Sequence, residues 1–73
     1  MDIADYYADK ENCFRDIKIA REAMGSKSTT EEQWEQLDKG LGLMYIYCPE
    51  DIQYIVEAQM NESARRKFLL GMI

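Results

Sequence analysis

Histidine is absent from this sequence. With it go the commonest general base, the commonest metal ligand and any Ser–His or Cys–His nucleophile pair. Cysteine is scarce: Cys13 and Cys48 stand 35 positions apart. Two cysteines alone cannot supply a four-ligand zinc site, and a small secreted domain usually carries several bridges. Both lie among apolar neighbours, where a free cysteine behaves as a small hydrophobe. The glycines do not form a phosphate loop, because Gly40-Leu41-Gly42 runs into Leu43-Met44-Tyr45 with no third glycine and no Gly-Lys-Ser/Thr. No acidic loop has the EF-hand spacing. No apolar run approaches the roughly 18–20 residues that span a bilayer. The acidic stretch 1–12 lacks the basic start and apolar core of a secretory signal. The expectation is a cytoplasmic protein, in its own or a host cell, with no membrane partner and no cofactor.

Basic residues are also the minority. Nine Lys and Arg against 14 Asp and Glu leave a net charge of −5. That balance argues against phosphate binding, which draws its affinity from Lys and Arg, and suits a partner protein with a basic surface. What is present is enough to fold. A hydrophobic share of 47% supplies the apolar surface that disordered chains lack. At 73 residues the expectation is a single helical domain, near the lower size limit for an independent core, so oligomerisation is a standing alternative.

Three helical segments are predicted, at about 3–24, 30–48 and 50–72, forming an all-α bundle. In the first, Cys13, Ile17, Ala20 and Met24 recur at helical spacing, with Tyr6, Phe14 and Ala23 widening the stripe. Asp2 is the expected N-cap, Asp5 suits the positive end of the helix, and Gly25 is the expected C′ stop before a polar linker, Ser26-Lys27-Ser28. Thr29 with Glu32, or Thr30 with Gln33, fits a capping box at the second start. From there Trp34, Leu37, Leu41, Met44, Tyr45 and Cys48 trace one face. Glu11–Arg15 and Glu35–Lys39 have the i,i+4 order that favours ion pairs. Pro49 at N1 opens the third helix, whose apolar stripe reads Ile52, Ile55, Val56, Gln59, Met60, Ala64, Phe68 and Met72. Asn61 is a candidate break within it. The apolar C-terminus, Phe68 to Ile73, is expected to dock in the core or against a second chain.

The stretch 41–48 is ambiguous. Its Tyr and Ile favour a strand, and two nearby glycines weaken a helix. No other segment alternates with period two, however, so a strand would need a partner from another chain. The helical reading continues the Trp34 face and is preferred. Leu43, Ile46 and Tyr47 then lie off that face, and Gly40 and Gly42 would admit a neighbouring backbone. Two readings are open: a central helix covered on several sides, or an exposed patch of Tyr45, Tyr47 and Tyr54, residues of a kind enriched at interfaces.

The acids fall into two groups. Asp2, Asp5, Asp9 and Asp16 sit at steps of three, four and seven, and Glu31, Glu32, Glu35 and Asp38 cluster at the second helix start. Helix N-termini collect acids in any case; arrayed on a compact body, such groups also resemble a phosphate backbone to a basic groove. Glu31 and Glu35 belong to a solvated helix face, so neither an enzyme nor a small-molecule substrate is expected. The third helix begins Pro49-Glu50-Asp51, which opposes a DNA-reading role and leaves only Arg65, Arg66 and Lys67 for direct nucleic-acid contact. The function expected is therefore a small acidic protein-binding regulator or inhibitor, of the phage or mobile-element kind, blocking a larger protein such as a nucleic-acid-binding machine. A structural homo-oligomer, such as a homodimer, and a nucleic-acid-binding regulator are the alternatives.

Overall fold

A computed structural model describes residues 2–26 and 29–72. It is an all-α bundle: α1 (Ile3–Ala8), α2 (Lys10–Gly25), α3 (Glu31–Tyr47) and α4 (Gln53–Leu69), with a 3₁₀ turn at Glu50–Ile52 leading into α4. The stretch 41–47 is helix, the last part of α3.

The first segment is broken at Asp9, where the chain is extended (φ −87°, ψ 116°). Asp9 caps α2 by accepting from the Glu11 amide at 3.0 Å, which is what a short acidic side chain does at a helix start. The end of α1 is satisfied by side chains of α2. Asn12 Nδ2 donates to the Tyr6 carbonyl at 2.9 Å and the Cys13 thiol to the Tyr7 carbonyl at 3.2 Å. The break folds α1 back so that Tyr7 is buried; a regular helix through Asp9 would carry it away. Helical periodicity alone does not reveal such a break, because every residue on either side of it is a competent helix former.

Gly25 is the last residue of α2, and it does not take the left-handed conformation expected of a C′ glycine. The carbonyls at this end are capped otherwise. The Thr29 hydroxyl donates to Ala23 O at 2.6 Å, and the Arg66 guanidinium reaches across from α4 to Met24 O at 2.9 Å. A cation at a helix C-terminus is also favoured by the dipole. Of the two candidate capping boxes, Thr30–Gln33 forms: Gln33 N donates to Thr30 Oγ1, and Thr30 N to Gln33 Oε1. Pro49 precedes the 3₁₀ turn instead of occupying N1 of an α-helix. Asn61 does not break α4, which runs unbroken to Leu69. It ends in a Schellman motif, with Gly71 at φ +74°, Gly71 N donating to Phe68 O and Met72 N to Lys67 O. Left-handed backbone is the reason for glycine at this position.

The core gathers Tyr7 from α1, Cys13, Ile17, Ala20 and Met24 from α2, Trp34, Leu41 and Met44 from α3, and then Cys48, Ile52 and Val56. The α2 stripe and most of the α3 stripe thus face inward as their spacing requires. Phe14 and Tyr45 do not; they are 46% and 39% exposed. The buried face of α4 differs more. It runs Ile52, Val56, Gln59 and Ser63, while Met60, Ala64 and Phe68 face outward. Burying Gln59 and Ser63 is tolerable because both are hydrogen-bonded. Gln59 Oε1 accepts from Arg21 Nε at 3.3 Å and Ser63 Oγ donates to Asp38 Oδ1 at 2.7 Å. Of the C-terminal tail, Met72 packs on the core, whereas Phe68, Leu69 and Leu70 are 69, 68 and 62% exposed. Ile73 lies outside the described residues, as do Lys27 and Ser28 of the linker.

Among the described residues, Glu11–Arg15 and Glu35–Lys39 form no ion pair. The pairs that do form are Lys10–Asp51, Lys67–Asp38, and Glu62 with both Arg65 and Arg66. The first two join helical segments distant in sequence, and surface pairs along one helix contribute little in any case. Glu62 is held down at a pKa of about 2 by its bonds to Arg65 and Arg66.

A Cβ built on Gly40 or Gly42 meets nothing within 4 Å, so no neighbouring backbone approaches there. Both glycines instead weaken α3. Gly40→Ala and Gly42→Ala are each expected to raise stability by about 0.5–1 kcal/mol. The readout is the urea midpoint at unchanged slope; a lower midpoint for Gly42→Ala would mean that the position is covered after all.

Candidate protein-binding surface

The outer face of α3 is the most distinctive surface of the molecule. Glu32, Glu35, Lys39, Leu43 and Ile46 recur at steps of three, four, four and three, the periodicity of one helix face, and all five are exposed. Tyr47 stands beside Leu43 and Ile46 on this face, one turn from Leu43. Leu43, Ile46 and Tyr47 are 40, 67 and 39% exposed. Leu43 and Ile46 lie away from Trp34 and Leu41, which are nearly sealed, and Tyr47 stands at the edge of the face, about 60° around the helix from buried Met44. One helix therefore has a core face and a second, solvent-facing stripe that is charged in its first half and apolar in its second. The inner face of α3 supplies only Trp34, Leu41 and Met44 to a core shared with the other helices, so the outer stripe takes no part in holding the bundle together.

The candidate tyrosines do not form one group. Tyr45 and Tyr47 are two positions apart on a helix, which places them about 160° apart around its axis. The Tyr45 backbone carbonyl accepts from Gln53 Nε2 at 2.9 Å, which ties this end of α3 to the start of α4. Tyr54 projects from the first turn of α4 and is 69% exposed. The only ring pair among the described residues is Tyr6 with Tyr7, edge-on at 5.0 Å between centroids.

The acidic candidates divide in the same way. Glu31, Glu32 and Glu35 are exposed at the head of α3 and enter none of the ion pairs among the described residues. Asp38 is turned to α4, bonded to Ser63 and paired with Lys67. Asp2 and Asp5 are exposed on the first turn of α1, while Asp9 is occupied as a cap. Asp16 faces the α1–α2 junction. Its two oxygens accept from the Tyr6 hydroxyl at 3.3 Å and the Tyr7 hydroxyl at 2.8 Å. Burial, reinforced by the bond to Asp16, pushes the Tyr7 phenol well above its ordinary pKa. The four acids of the first segment are therefore not one row, because the break at Asp9 turns α1 out of line with α2.

Leu43 and Ile46 are exposed on this face, and neither polarity nor aromaticity singles them out. The signal for them was positional: both lie opposite the Trp34–Leu41–Met44 face.

Open clefts lie between the helices among the described residues. One, about 460 Å³, is lined by Arg21, Met24, Ala58, Gln59, Glu62 and Arg66. Its size would admit a small molecule, but its polar groups are already engaged with one another: Arg21 with Gln59, and Arg66 with Glu62 and the Met24 carbonyl. A second, about 320 Å³, lies between the end of α2 and Leu69 and Leu70. A third, about 180 Å³, opens beside Ile19, Leu37 and Gly40. Among the described residues no three acidic or cysteine side chains gather as a metal site, and no helix is long and apolar enough to cross a membrane. No protein-family model, curated protein or solved structure matches the chain.

Proposed function

We propose that this protein is a binding module, a small acidic regulator or inhibitor that docks the outer face of α3 into an apolar groove of a larger protein. The observation that carries the reading is the exposure of Leu43, Ile46 and Tyr47 on the face that continues Glu32 and Glu35. An amphipathic helix laid in a groove presents anchors at i, i+3 and i+4, and these three residues have that spacing. The anchors would supply the affinity, since burying a Leu, Ile or Tyr side chain against a partner removes a large apolar area from water. The exposed Glu31, Glu32 and Glu35, which enter no ion pair among the described residues, would steer the encounter and fix direction along the groove, toward a partner with a basic rim.

The test is capture of partners from a cell lysate on immobilised protein, compared with Ile46→Asp and with a Glu32→Lys, Glu35→Lys variant. Ile46 is 67% exposed, so Ile46→Asp is expected to keep the helical circular dichroism spectrum while losing partner affinity by about 30-fold or more. The charge variant should mainly slow association and reduce its salt dependence. If Ile46→Asp retains the same partners at the same affinity, the α3 face is not the contact surface. Light scattering of the free protein separates a monomer that binds another protein from a dimer closed through this face.

A further inference from the structure

The two cysteines, distant in sequence, are neighbours in the fold. Cys13 sits in the first turn of α2 and Cys48 caps the end of α3, with their Sγ atoms 2.8 Å apart. Both are buried, Cys13 completely and Cys48 at 4% exposure, and the chain has no other thiol. A cysteine used only as a small hydrophobe needs no sulfur beside it. Here each sulfur has the other as its nearest reactive group, and the two belong to different helices of one core.

We propose that Cys13 and Cys48 are an oxidation site, a dithiol that closes to an intramolecular disulfide by exchange with a low-molecular-weight disulfide. In the first step the thiolate of one cysteine attacks a sulfur of the small disulfide, forming a mixed disulfide and releasing one small thiolate. The second cysteine, deprotonated, then attacks the protein sulfur of that mixed bond and displaces the other half. The protein dithiol is oxidised, the small disulfide is reduced to two thiols, and the two protein thiol protons end on those thiolates or in water. Either cysteine can attack first and the other resolve, because both stand at helix ends: Cys48 caps α3 before Pro49, and Cys13 lies in the first turn of α2, just after the break at Asp9.

Burial sets the rate. Desolvation, followed by the contact with Cys13, pushes the Cys48 thiol up to about 12, so little thiolate is present near neutrality and the closed fold resists exchange. Burial does not set the direction, because sulfurs already held side by side act at a high effective concentration. Oxidation is therefore slow and gated by local opening of the core around the two sulfurs, and the product is the protein-internal bond in preference to a stable mixed adduct. The bond would tie the start of α2 to the C-terminal end of α3, next to Tyr47.

The probe is oxidised glutathione, applied to the purified reduced protein, with intact-mass measurement and peptide mapping after thiol alkylation under denaturing conditions. The expected product is monomeric, lighter by two hydrogens, with the Cys13 and Cys48 peptides linked. Its rate should rise in sub-denaturing urea, and its thermal midpoint should exceed that of the reduced protein by roughly 10 °C or more. A protein that keeps two alkylatable thiols through this treatment, or accumulates glutathione adducts or intermolecular dimers, would overturn the proposal. So would a linked product less stable than the dithiol. The result does not depend on the α3 face binding any partner, and the unmodified chain is used throughout.

Discussion

Alanine at Leu41 is expected to lower folding stability by about 2–5 kcal/mol, while alanine at Leu43, two positions on, changes it by less than about 1 kcal/mol. Leu41 is 1% exposed and meets Trp34 and Met44 within the core, so truncation leaves a cavity that a rigid bundle refills only in part. Leu43 is 40% exposed, and its removal returns to water a surface already partly wet. For a chain of this length total stability is roughly 4–11 kcal/mol, so Leu41→Ala takes a large part of it. Should the variant be too unstable to measure alone, a Gly40→Ala, Gly42→Ala background recovers about 1–2 kcal/mol of the loss, and both leucine variants are then compared in it. The measurement is urea unfolding at equilibrium, with the midpoint shifting at constant slope. Equal losses at the two leucines would show that the outer face of α3 is covered in solution, and would contradict its assignment as a free surface. Partner binding should reverse the ranking, with Leu43→Ala weakening capture by an amount out of proportion to its effect on folding.

That contrast also shows what the sequence makes legible. Spacing alone identifies the inward faces of α2 and α3, because apolar residues there recur with the helical period and have no competing use. The helical state of 41–47 follows from the lack of any strand to pair with it. The limits come from polar residues that act in the fold. Asp9 interrupts a run of good helix formers by taking an extended backbone and capping the next turn, a choice made by the burial of Tyr7 and invisible in periodicity. On α4 the predicted stripe rightly holds Val56 and Gln59 but continues through Met60, Ala64 and Phe68, whereas the buried face passes from Gln59 to Ser63. Their polar atoms find Arg21 and Asp38 on other helices, and no local pattern announces such partners. The same applies to Arg66, which resembles an ordinary C-terminal cation and caps a different helix. On the candidate surface, the acids at the head of α3 were readable as solvated, whereas Asp16 and Asp38 were indistinguishable from them until the tertiary fold supplied their donors.

Asp16 is the acid whose role in the fold can be measured most directly, and its prediction is an alkaline one. The carboxylate accepts from the Tyr7 hydroxyl, which is held in its neutral form by burial and by that bond. A phenol whose pKa is raised on folding binds its proton more tightly in the native state. Its contribution is complete below the unfolded value near 10 and is lost as pH climbs from there toward the folded value. Cys48 behaves alike from its unfolded value near 9 up to about 12. Stability of the reduced protein should therefore hold near neutrality and then fall across pH 9–12, by roughly 1 kcal/mol per pH unit for each group while it titrates. The groups that act on Tyr7 are Asp16, Tyr6 and Cys48, so the variants must separate them. Tyr7→Phe should cost about 1 kcal/mol at neutral pH and flatten the decline above pH 10, leaving the earlier, cysteine-linked part. Asp16→Ala should cost more, about 2–3 kcal/mol, because it strands a buried hydroxyl and deprives Tyr6 of its acceptor as well. Asp16→Asn retains an acceptor and should fall between the two. Urea midpoints measured in a reducing buffer at successive pH values give all four curves. A wild-type curve no steeper than that of Tyr7→Phe would mean that the phenol titrates normally in the folded protein, and that α1 does not fold back on Asp16 as the break at Asp9 requires.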